Sequence, residues 1–211
     1  MNTDELIALL ARDAGPAQGP APQQVGGRLA IALALGGAVV LYLGLNPDLS
    51  EFATTSVFTA KMVWLIVLMF FSANLVFRMV HPGQRLGVAP WGIGLAMLAM
   101  TVQGVSQWLQ TSSELRNVLL MGSSWQVCVF NIMAIALPVL AALLWTLRDM
   151  APTRPVLTGA ASGLLAGALA AILYSLHCTE NSLTFYSIWY SSGMGLSALL
   201  GALMGLRFLR W

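Results

Sequence analysis

"AKMVWLIVLMFFSANLVFRMV", residues 60–80, decides the architecture. Its only charges are Lys61 near one end and Arg78 near the other, and everything between is apolar apart from Ser72 and Asn74. An α-helix needs about 20 such residues to cross ~30 Å of hydrocarbon. The run is continuously apolar rather than alternating, which excludes a strand of a membrane barrel.

Five more runs of the same kind lie on either side, at about 28–45, 88–109, 125–147, 156–176 and 186–206. Of the 211 residues, 58% are hydrophobic and 9% charged, with a mean hydropathy of +0.78. An ordinary soluble domain carries about 25% charged residues. The fold expected is therefore all-α, an integral membrane bundle of six transmembrane helices over 28–211. Residues 1–15 and a Gly/Pro/Gln linker at 16–27 precede it. A net charge of +2 gives no basis for nucleic-acid binding. The start of the chain is acidic and polar, without the basic flank and short apolar core of a cleaved signal peptide.

Arginine placement orients the bundle. Arg12, Arg28, Arg78, Arg85, Arg148, Arg154, Arg207 and Arg210 fall on one side of an even-numbered topology; Lys61 and Arg116 fall on the other. Both termini are thus expected in the cytoplasm of a bacterial inner membrane. The outer loops would be about 46–59, 110–124 and 177–185. Cys178, in "YSLHCTENS" (174–182), then ends the fifth span on the outer face. Cys128, near the start of the fourth, lies at matching depth on the same face. From the residues alone the pair reads equally as an inert bridge stapling two helices or as a sensor of soft metals or oxidants.

Small residues recur every fourth position in the fifth span (Gly159, Gly163, Gly167, Ala171, Ser175) and in the sixth (Gly193, Ser197, Gly201, Gly205). Such stripes let membrane helices approach backbone to backbone, so these two spans are expected to pack as a hairpin. Asn74, Gln103, Gln107, Gln126 and Asn131 are expected to bond between helices, and Trp64, Trp108, Trp125 and Trp189 to anchor at the interfaces. Lys61 and Arg78 sit close enough to span ends to reach the interfaces with their charges, which leaves no ionisable group near a helix centre. That argues against a proton-coupled transporter.

Residues 3–14, "TDELIALLARDA", can form a short helix, with Asp4 and Glu5 at its positive end and Leu6, Ile7, Leu9 and Leu10 along an apolar face. The polar face is acidic, so a groove on a protein suits it better than anionic lipid.

"TDELIALLARDAGP", the long stretch from "LPVLAALLWTLRDMAPTRP" through "YSLHCTENS", and the closing "GALMGLRFLRW" resemble the NrsF family of six-helix membrane anti-sigma factors. The resemblance covers essentially the whole chain. It implies a protein that is not an enzyme and needs no cofactor. Such a protein holds an extracytoplasmic function (ECF) sigma factor through the cytoplasmic N-terminus, with Asp4, Glu5, Leu6, Ile7, Leu9 and Leu10 in the contacting segment. Cys128 and Cys178 would be the periplasm-facing sensor of heavy-metal or oxidative stress, transient ligands of a heavy metal, with His177 and Glu180 as candidate helpers. Its partners would be the sigma factor and the lipid bilayer, with no nucleic acid. Two other classes compete. A membrane thiol oxidoreductase would need a CxxC or a second cysteine pair, which is missing. A small metal transporter would need ligands spread through the membrane depth, whereas these cluster at one face.

Overall fold

The computed structural model describes residues 2–7, 22–81 and 83–210. Residues 3–7 are helical with their side chains exposed, Leu6 and Ile7 among them. Leu9, Leu10 and the remainder of the expected 3–14 helix lie outside the described residues.

Six long helices follow among the described residues, and there is no strand. They are α1 (Pro22–Leu43), α2 (Ser56–Val80), α3 (Ala89–Gln110), α4 (Trp125–Arg148), α5 (Pro155–Tyr174) and α6 (Ser191–Phe208). Short helices Leu49–Phe52 and Arg116–Met121 sit in the connections. Leu183–Phe185 and a π-helical turn, Tyr186–Tyr190, lead into α6. The helix ends follow local chemistry. The Thr55 hydroxyl accepts from the Phe58 amide at 3.2 Å to cap α2. Pro90 and Pro155 occupy the first turns of α3 and α5, where a missing N–H costs nothing. α1 begins earlier than its apolar run, taking residues 22–27 of the expected linker and Arg28 into the helix.

α1, α2, α4 and α5 are long and apolar enough to cross a membrane. The other two of the six expected spans are helices of 22 and 18 residues but are less apolar. Thr101, Gln103, Ser106 and Gln107 dilute α3, and Ser191, Ser192 and Ser197 dilute α6. The exterior is broadly apolar, with Ile31, Leu35, Phe70, Leu95 and Leu98 all at least half exposed. Such a surface is compatible with a membrane protein.

α5 is the central helix, packing against α6, α2, α4 and α1. The small-residue stripes meet as expected. A Cβ at Gly163 would strike the Ser197 carbonyl and come within 2.7 Å of the Ala198 Cα. One at Gly201 would strike the Gly159 carbonyl, and one at Gly205 the Pro155 carbonyl. α4 packs on α6 where Ile132 covers Gly193, and on α1 where Ile135 covers Gly36.

The contacts define two ends. At one, Arg28 of α1 meets Asp149 beyond α4 at 3.8 Å, and its guanidinium lies 5.2 Å from the ring centre of Trp145. Pro155 of α5 and Gly205 of α6 are joined at the starts and ends of their helices there. The opposite end holds Gly44, Ser123, His177 and Glu180.

The seam makes a direct prediction. Gly163→Ala should lower the melting temperature of the detergent-solubilised protein by several degrees, because its methyl group meets backbone that cannot yield. Gly37→Ala, with nothing within 4 Å of its Cβ, should leave the melting temperature unchanged or raise it.

Candidate functional site

The end opposite the Arg28–Asp149 pair gathers polar side chains from four parts of the chain. Glu180, in the α5–α6 connection, places Oε1 at 2.6 Å from both the amide and the hydroxyl of Ser123 and at 3.2 Å from the Ser124 amide. Those are free N–H groups at the start of α4. The carboxylate thus caps the helix and meets the positive end of its dipole. Gly122 makes room for it: its φ is +56°, and a Cβ there would lie 2.7 Å from the carboxylate carbon.

His177 donates from Nδ1 to the Gly44 carbonyl at 2.6 Å, tying the exit of α5 to the exit of α1. The Asn46 amide reinforces that tie by donating to the Leu176 carbonyl at 2.9 Å. Gln107 of α3 works similarly on the last connection, its Oε1 accepting from the Thr184 amide at 3.1 Å. Trp189 donates its indole N–H to the Leu120 carbonyl at 2.8 Å and leans on Trp125.

Beneath this layer lie the two cysteines. Cys128, one turn into α4, is completely buried, and Cys178 is 2% exposed. Both thiols are free. They lie in the same buried core as Tyr174, Tyr186 and Tyr190, and the Cys178 amide donates to the Tyr174 carbonyl at 3.0 Å. Ring centroids are 5.9 Å apart for Tyr174–Tyr190 and 5.1 Å for Tyr186–Tyr190. The Tyr174 and Tyr190 hydroxyls are buried without a hydrogen-bond partner.

Lys61 completes the cluster, and here the sequence-based expectation is corrected. Rather than reaching an interface, its side chain is 0% exposed. Nζ donates to the Tyr186 hydroxyl at 3.3 Å and lies 4.4, 4.9 and 5.6 Å from the ring centres of Tyr186, Phe58 and Tyr190. Tyr186 in turn donates to the Glu180 carbonyl. The physical reason is the π-helical turn, which stacks Tyr186 and Tyr190 over the lysine and encloses it before it can reach water. Trp64, one turn further on, is likewise buried rather than anchored at an interface.

The structure therefore brings Cys128 and Cys178 into one cluster with Glu180 and His177 close by. Both of these already have backbone partners. Among the described residues no group of three or more His, Cys, Asp or Glu side chains could hold a metal ion. Asp4, Glu5, Leu6 and Ile7 are exposed and take no part in this cluster. Sequence reasoning missed Lys61 and the three tyrosines. The available signal was the pairing of Tyr186 with Tyr190, four residues apart, in a span whose neighbours offered no other charge.

The family model described as "NrsF: Negative regulator of sigma F" matches residues 10–211. The chain belongs to the NrsF family. This is a family of negative regulators rather than enzymes. Among its relatives is a protein of Caulobacter vibrioides (strain NA1000 / CB15N) named anti-sigma-F factor NrsF. It is 40% identical over 219 residues that cover the whole of both chains. Another, from Azospira oryzae (strain ATCC BAA-33 / DSM 13638 / PS), is named probable anti-sigma-F factor NrsF and is 37% identical, again over both full lengths. No solved structure matches the chain.

The cap on α4 gives a second prediction. Glu180→Ala should lower stability by about 1 kcal/mol, the usual effect of losing a helix cap, measured by thermal unfolding in detergent. Glu180→Gln, which keeps an acceptor oxygen, should lose less.

Proposed function

We propose that this chain is an anti-sigma factor that holds an ECF sigma factor at the bacterial inner membrane and releases it when the Cys128–Cys178 pair is attacked. Heavy-metal or oxidative stress would be the input. The observation that carries the reading is the full-length similarity to relatives named as anti-sigma-F factors, in a chain with two free cysteines buried in one cluster. All six long helices are read as membrane spans, with both termini in the cytoplasm and the cysteine end facing the periplasm. The arginine distribution supports that orientation.

The sigma factor would be gripped by the N-terminal segment around Asp4 to Leu10. Exposure of Leu6 and Ile7 supports this, because an apolar face without a partner among the described residues is suited to a groove on another protein.

α4 offers a physical route between the two ends. Cys128 sits in its first turn, and Asp149, which pairs with Arg28, follows its last. At about 1.5 Å per residue they are roughly 30 Å apart. Arg28 belongs to α1, the helix that leads back to the N-terminal tether. Modification of the cysteines would shift the register or tilt of α4 and so change the relative stability of bundle states that differ in grip on the sigma factor.

Two experiments test this. Deleting residues 1–15 should abolish co-purification of the sigma factor; undiminished capture would refute the binding segment. Cys128→Ser and Cys178→Ser should each render a sigma-dependent reporter unresponsive to cadmium or to diamide. A normal response in both variants would refute the sensor.

A further inference from the structure

The end of the bundle that carries the Arg28–Asp149 pair holds a second group of arginines. Arg78 lies in the last turn of α2, Arg85 in the α2–α3 connection, and Arg154 immediately before α5. They line one cleft of about 390 Å³, with His81, Gln84 and Thr153 supplying the rest of its polar lining. That volume falls in the range of sites that hold small ligands. No carboxylate lines the cleft. Asp149, in the same connection as Arg154, is committed to Arg28 at 3.8 Å, the one ion pair among the described residues. α5 also begins here without a side-chain cap, so the positive end of its dipole adds to the three guanidinium charges. Like charges gathered in this way repel one another, and an anion relieves the repulsion.

Arg78 is fixed in place. Its Nε donates to the Asn74 carboxamide oxygen at 2.8 Å, and a terminal nitrogen donates to the Arg85 carbonyl at 3.3 Å. Its guanidinium lies against Gly87, where a Cβ would come within 3.0 Å of it. Three of its five N–H groups are left without a partner among the described residues. A guanidinium held like this loses little freedom when it takes an oxygen anion. His81 is fixed as well, its Nδ1 donating to the Phe77 carbonyl at 2.7 Å. Arg85 and Arg154 are exposed and carry no ion pair among the described residues.

The surroundings decide what kind of anion fits. Phe77, next to Arg78 in the chain, and Val88 and Trp91, at the start of α3, are each more than half exposed. An apolar surface that ends in a tryptophan and a group of arginines has the composition of a membrane interface. Basic pockets between helices on the cytoplasmic side take phospholipid head groups.

We propose that this cleft binds the phosphate of an anionic phospholipid of the inner leaflet, with Arg78, Arg85 and Arg154 as its binding residues. The inference rests on the reading of the six long helices as spans with this end in the cytoplasm. A phosphate there joins the α2–α3 connection to the start of α5, the central helix of the bundle.

The test is lipid retention by the full-length protein in dodecyl maltoside, titrated with phosphatidylglycerol or phosphatidylcholine and read by native mass spectrometry. The unaltered chain should bind one phosphatidylglycerol about tenfold more tightly than phosphatidylcholine. Arg85→Gln/Arg154→Gln should weaken phosphatidylglycerol binding about tenfold and still fold, because both side chains are exposed. Arg78→Gln is a second variant of the same site and should also weaken it. Arg207→Gln/Arg210→Gln removes the same charge at the same end but outside the cleft, and should bind within about threefold of the unaltered chain. Equal binding of the two lipids overturns the proposal, as does an equal loss in the two double variants. Undiminished binding in Arg85→Gln/Arg154→Gln does the same. Displacement of the lipid by millimolar inorganic phosphate also overturns it, assigning the cleft to a soluble anion. Loss of sigma-factor capture in Arg85→Gln/Arg154→Gln with lipid binding intact overturns it too, assigning the cleft to an acidic segment of a protein. Orientation is read separately, from alkaline phosphatase fused after residue 211, which is active only in the periplasm. An active fusion refutes the topology; the binding ratios decide the cleft.

Discussion

Backbone-to-backbone contact between α5 and α6 is the constraint on which the rest of the bundle depends. In a lipid environment apolar side chains gain little by leaving one hydrocarbon surface for another, so close packing of bare backbone becomes a main source of helix association. Gly159, Gly163, Gly201 and Gly205 let the two helices touch through carbonyl and Cα atoms. That contact fixes the height of α6 relative to α5. It therefore fixes where the chain must turn between them, and so where Cys178, Glu180 and the two tyrosines of the π-helical turn are delivered. A displacement of one helical step along the seam would withdraw Tyr186 and Tyr190 from Lys61 and take the Glu180 carboxylate off the start of α4.

The polar end is organised by the same economy. Nearly every polar side chain there closes a backbone group left open at a helix terminus or in a loop: Glu180 at the start of α4, His177 on the exit of α1, Gln107 on the α5–α6 connection. Arg116 belongs with them. Its guanidinium donates to the Trp108 and Thr111 carbonyls at 3.1 Å and lies 4.5 Å from the Trp108 ring centre, which closes the end of α3. The two basic residues that run against the arginine bias of the chain are thus both engaged inside the protein, one on a helix end and the other among aromatic rings.

Much of this was legible from residues alone. The six apolar runs fall on the six long helices to within a few residues, apart from α1, which starts earlier, and the sixth run, whose first five residues form the π-helical turn before α6. The small-residue stripes predicted the α5–α6 hairpin because spacing of four on a helix is a direct statement about one face. Polar roles were read less well. A lysine six residues into a helix has the same local pattern whether its chain reaches water or is enclosed; only the tertiary position of Tyr186, 125 residues later, decides between them. The burial of Trp64 was hidden for the same reason. The cysteine pair lay between. Its gathering at one end followed from topology, but the completeness of its burial depends on tyrosines contributed by distant turns.

The enclosure of Lys61 also has a consequence for how the protein is made. α2 is synthesised long before the tyrosines that surround its lysine, and at about 5–20 residues per second those 125 residues take roughly 6–25 seconds to emerge. During that interval the lysine lacks the ring faces of Tyr186 and Tyr190, so its enclosure is completed only when the last helices join the bundle.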